Sequence, residues 1–124
     1  MKTMLVTILS ALLFMSAPMV ASAHGALSEI ATIIMHLNHY PTTDDKKVLA
    51  EIAADPQSTA GDKIIAEALM RMQHQVKGAD ADALQKLAGN DATPAAEKEL
   101  ATIMLGIAHH PSSADVAQLK AIAE

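Results

Sequence analysis

The chain repeats itself every 35 residues, and no gap is needed to keep the register. The stretch 36–53 returns as 71–88 and again as 106–123. Five positions hold one residue type in all three copies: Ala31/Ala66/Ala101, His39/His74/His109, Asp45/Asp80/Asp115, Leu49/Leu84/Leu119 and Ala53/Ala88/Ala123. Apolar character persists at Ile30/Ile65/Leu100, Ile34/Leu69/Met104, Leu37/Met72/Ile107 and Ile52/Leu87/Ile122. A fixed period of this length is the mark of a supersecondary unit that cannot bury its apolar side alone and must pack on its neighbours.

Residues 1–23 read as a leader to be removed. Met1-Lys2 opens it, an apolar run follows from Met4 to Met15, and Ala21-Ser22-Ala23 is the small-x-small pattern of a signal peptidase site. The run is too short to span a bilayer comfortably. These features predict a bacterial periplasmic or secreted protein. One domain, 24–124, should follow. Lys2 is the only charged side chain in the leader, so 24–124 hold eight basic and fourteen acidic residues, a net −6. That balance opposes nucleic acid and anionic lipid as partners. With no cysteine, stability has to come from packing.

Tyr40 is the one aromatic residue after the leader; the apolar content is otherwise mainly Ala, Leu, Ile and Met, good helix formers. Ile30, Ile33, Ile34 and Leu37 fall on one face of a helix, and Pro41 predicts its end near His39 or Tyr40. Ser28 reads as its N-cap, and Thr42 or Thr43 as the cap of the next helix, with Asp44 and Asp45 in the first turn. Residues 55–61 read as a turn. The second unit repeats the plan, with Gly78 as the stop of its first helix. In the third, Thr93-Pro94 signals a helix start, and Ser112-x-x-Asp115 resembles a capping box. The expected fold is all-α: a right-handed stack of antiparallel helix pairs, three helix-turn-helix repeats and six helices in all.

The stretch Leu49-Ala-Glu-Ile-Ala-Ala-Asp-Pro56 followed by Ile64-Ile-Ala-Glu-Ala-Leu-Met70 resembles antiparallel helix-pair repeats of the HEAT type. The tetratricopeptide pattern is similar in architecture, but its Trp, Tyr and Phe positions are missing here. The resemblance implies a surface for holding a protein partner or another copy of the chain.

Histidine carries the most chemistry. All six lie after the leader, at 24, 36, 39, 74, 109 and 110. On a helical projection Met35 shares a face with His39, and Met70-x-x-x-His74 sets a thioether one turn from an imidazole. Sulfur with imidazole suits copper, so Met35, His36, His39, Met70 and His74 are candidate ligands for copper or zinc, with His109 and His110 as the third-copy counterparts. Cleavage after Ala23 would make His24 the first residue. The His24-Gly25 start then resembles the histidine brace of lytic polysaccharide monooxygenases, which implies copper held by an amine and an imidazole. Against a shared ion, units in a stack place equivalent positions 8–10 Å or more apart. The simpler expectation has each periodic histidine serving the end of its helix, with Asp45, Asp80 and Asp115 accepting a bond across the turn.

No glycine-rich phosphate loop, calcium loop or nucleophile elbow is present. The chain is therefore expected to be a binding or scaffold module without enzymatic activity or resident cofactor. Carriage of copper or zinc is the alternative.

Overall fold

In a computed structural model, residues 22–124 are described, with side chains from residue 25 onward. The expected leader thus lies outside the described residues, apart from Ser22 and Ala23, and so does the side chain of His24. Six helices account for the described chain: α1 (Ser22–Met35), α2 (Thr43–Ala54), α3 (Ala60–Arg71), α4 (Gly78–Gly89), α5 (Ala95–Gly106) and α6 (Ser113–Ala123). No strand occurs among the described residues. No helix there is long and apolar enough to cross a membrane.

The apolar period explains what is buried. Ile30, Ile65 and Leu100, one per unit, are fully buried, as are Ile34, Leu69 and Met104 one turn further on. Ala31, Ala66 and Ala101 are also fully buried. A methyl side chain there lets α1, α3 and α5 approach one another, and each of the three touches the other two. The repeated Leu49, Leu84 and Leu119 bring the outer helices α2, α4 and α6 onto this inner trio. Burying each such leucine contributes about 1.5–3 kcal/mol.

The helices pair, but not mainly within the units. Each outer helix packs chiefly on the inner helix of the next unit: α2 on α3, α4 on α5, and α6 back on α1. The Ser28 hydroxyl donates to the Ala123 carbonyl at 2.7 Å and ties that last pair. The third unit therefore meets the first, and the three close around an axis. In a stack the last unit would meet only its predecessor.

Several local expectations need correction. Ser28 lies inside α1 and is not its N-cap. α1 stops at Met35, well before the residue that precedes Pro41, and α3 and α5 stop at Arg71 and Gly106. Gly78, with φ of 58°, opens α4 instead of closing α3. The residues before α3 contain a capping box as well as a turn: the Thr59 side chain accepts from the Asp62 amide, and Asp62 accepts from the Thr59 amide. Boxes of the same kind start α2 (Thr42 with Asp45) and α6 (Ser112 with Asp115). Pro94, not Thr93, is the cap residue of α5, and it supplies no side-chain bond.

Candidate metal centre

At one pole of the axis, buried apolar residues, Leu37, Met72 and Ile107, lie just past the ends of the three inner helices. In each unit the chain then turns sharply at the histidine two residues on. His39, His74 and His109 have φ of 69°, 66° and 74°, and they are the non-glycine residues in that region among those described. The Tyr40 amide donates to the Asn38 carbonyl at 2.9 Å, and the Gln75 amide to the Gln73 carbonyl at 2.7 Å. Ala108 and His110 form the equivalent isolated bridge in the third unit. A bond from i+2 to i around a residue of positive φ is a γ-turn of the rare, strained kind.

Backbone bonds then link the three turns into a cycle. The His39 amide donates to the His109 carbonyl at 2.7 Å, His74 to His39 at 2.8 Å, and His109 to His74 at 2.8 Å. Each histidine both gives to one neighbouring unit and accepts from the other. The turns are thereby held close to the axis, and their side chains meet over it. The Nδ1 atoms lie 3.2 Å (His39–His74), 3.0 Å (His39–His109) and 3.1 Å (His74–His109) apart. The rings pack edge to face, with centroids 5.0–5.1 Å apart and planes inclined by 67–78°. All three are solvent-exposed.

Hydrogen bonding cannot satisfy this triangle. A neutral imidazole presents at Nδ1 either an N–H or a lone pair, not both. Donors and acceptors cannot alternate around three mutually adjacent atoms, so at least one contact sets like against like. A cation that accepts three lone pairs at once removes the conflict, and Nε2 then carries each proton. The size also fits. With edges of 3.0–3.2 Å the corners lie about 1.8 Å from the centre, so an ion with bonds of about 2.0–2.1 Å would sit about 1 Å out of plane, at N–metal–N angles near 100°.

The other sequence candidates are placed elsewhere. His36 Nδ1 donates to the Thr32 carbonyl at 2.9 Å, and His110 Nδ1 lies 3.2 Å from the Pro111 carbonyl. Met35 and Met70 pack, half-buried, against the core. The Met-x-x-x-His face is not formed, because His39 and His74 lie beyond the ends of their helices. The repeated aspartates do not meet the rings either. Asp45 and Asp115 accept from the cap amides of Thr42 and Ser112, and Asp80 takes two bonds from Arg71 at 2.6 and 3.0 Å. Those bonds hold the Asp80 carboxyl below its usual range.

Sequence reasoning missed a cleft of about 540 Å³ that reaches His74, lined by Tyr40, Lys46, Met70, Arg71, Met72 and Gln73. It also missed a buried acid pair, Asp62 and Glu97, at the start of α3 and α5. These two are 35 residues apart, and Leu27 holds the third equivalent place; a search of the period for mixed polar and apolar positions would have found them. Comparison of the chain with protein-family models, with curated proteins and with solved structures gave no match.

Proposed function

We propose that the protein binds one transition-metal ion through Nδ1 of His39, His74 and His109, as an exported metal-binding module without catalytic activity of its own. The observation that carries this reading is the convergence of three repeat-related nitrogens within 3.0–3.2 Å. Imidazole donors alone, in a pyramidal array, suit zinc and its divalent neighbours. Copper stays in the reading, but without the thioether donors of Met35 and Met70. Export rests on the leader at 1–23.

The test is equilibrium dialysis of untagged protein against Zn²⁺ with thermal unfolding alongside. One ion per chain is expected, with affinity lowered at least tenfold by His39→Ala or His74→Ala and abolished by the pair. At a free Zn²⁺ concentration a hundred times Kd, the midpoint should rise by about 10 °C, and a chelator should reverse the rise. Uptake that survives the double substitution would sink the proposal. The ion also competes with protons for its ligands, so acidification should release it.

A module that holds a protein segment is the second reading. Its support is a pair of grooves between inner and outer helices of one unit, α3 with α4 and α5 with α6, of about 500 and 560 Å³. Closure of the units removes the open concave face on which helical-repeat scaffolds depend. Charge reversal at Lys86 and Glu99, which line those grooves, should weaken capture of such a segment; unchanged capture would count against this reading.

A further inference from the structure

We propose that an ion held by His39, His74 and His109 takes a small oxygen anion, carbonate or a monocarboxylate, as its outer ligand, seated in the cleft between Tyr40, Lys46 and His74. The inference rests on the metal reading above and adds what completes the coordination shell. Among the described residues no further histidine and no carboxylate joins the cluster of His39, His74 and His109. Three nitrogens at angles near 100° leave one position open in a tetrahedral shell and three in an octahedral one. The open positions face away from the nitrogen plane, where an external ligand has to supply them.

The cleft beside His74 sets the chemistry of that ligand. Two cations line it, Lys46 and Arg71. Arg71 is already engaged by Asp80 at 2.6 Å and Glu67 at 3.6 Å. Lys46 takes part in none of the ion pairs among the described residues, whereas its neighbour Lys47 pairs with Asp44. One uncommitted ammonium, with the phenol of Tyr40 and the amide of Gln73 as donors, suits an anion of one or two charges. A polyanion would meet a chain of net charge −5. Met70 and Met72 supply the apolar part of the cleft lining.

The repeat argues that this lining is not imposed by the fold. Residues the fold requires recur, as Leu49, Leu84 and Leu119 do. Tyr40 and the two cations of the cleft do not. Tyr40 becomes Gln75 and His110, Lys46 becomes Ala81 and Val116, and Arg71 corresponds to His36 and Gly106. The cleft thus brings a lysine and an arginine together with one histidine of the triangle.

The experiment is a titration of the Co²⁺-loaded, untagged protein with sodium acetate and with bicarbonate, read in the visible d–d bands. A saturable spectral shift is expected, and Lys46→Ala should move its midpoint about fivefold higher. Lys47→Ala removes the same charge nearby and should leave the midpoint in place. Co²⁺ uptake with a spectrum that neither anion changes would overturn the inference while the metal reading stands. A shift equal in wild type and Lys46→Ala would overturn the cleft as the seat. Failure to take up Co²⁺ would overturn the metal reading and this inference with it.

Discussion

Histidine occupies a backbone position at which glycine would fold with less strain. An L-residue in the left-handed region costs about 1–2 kcal/mol, and the chain accepts that cost at His39, His74 and His109 alike. The cycle of amide-to-carbonyl bonds uses only backbone atoms, so it would form around glycine or asparagine as well. The imidazole is therefore not what the turn requires, and a role for its nitrogens follows more readily than one in folding. A second polar feature sits at the opposite ends of the inner helices. Glu97 is buried and accepts the Thr59 hydroxyl at 2.7 Å, and Oδ1 of the fully buried Asp62 has no partner of its own. Burial raises the Glu97 carboxyl above its ordinary value; the Thr59 bond opposes this, and the adjacent Asp62 charge adds to it. A protonated Glu97 can donate to Asp62 and satisfy that orphan oxygen. Because the folded chain then holds the proton more tightly than the unfolded one, this stabilisation is complete below the ordinary 4.5 and is lost as pH rises through the raised value. Glu97→Gln, which donates at every pH, should gain about 1 kcal/mol at neutral pH and little below pH 4, measured by urea unfolding. A loss at neutral pH would contradict this assignment. Gly61 belongs to the same cluster, since a Cβ there would collide with the Glu97 carboxylate.

Among the elements, the helix starts differ in how they are capped. Thr42 and Ser112 each cap their helix through a reciprocal bond with the aspartate three residues on, whereas Lys77 offers no cap and Asp80 turns to Arg71 instead. Thr42→Ala and Ser112→Ala should each cost about 1 kcal/mol, while Lys77→Ala should change stability by less than about 0.5 kcal/mol. Equal losses at all three would show that the boxes contribute little. Helix identity and the buried faces were legible because apolar residues recur at helical spacing in every unit. The C-terminal ends were not. Proline restrains only the residue before it, and the inner helices end earlier because residues 39, 74 and 109 bond to the next unit instead of continuing the helical ladder. That competitor is tertiary, and no local pattern announces it. The helical projection of His39 and His74 onto methionine faces failed for the same reason.

For the whole molecule, a 35-residue period fixes the unit but not the way units are joined. A stack and a closed ring share the same apolar stripe; they differ in the angle at which α2 meets α3 and α4 meets α5, and in whether α6 then reaches α1. Closure turns a histidine repeated along the sequence into three nitrogens at one point, which a stack would keep 8–10 Å apart. Three units give a triangle, the smallest ring in which hydrogen bonding cannot pair every member. The most direct measurement is diffraction from a Zn²⁺-loaded crystal at the zinc absorption edge. The closed arrangement predicts one anomalous peak per chain on the pseudo-threefold axis, about 2 Å from Nδ1 of His39, His74 and His109. A peak at His24, His36 or His110 with none between these three rings, or no peak at full occupancy of the other atoms, would contradict it.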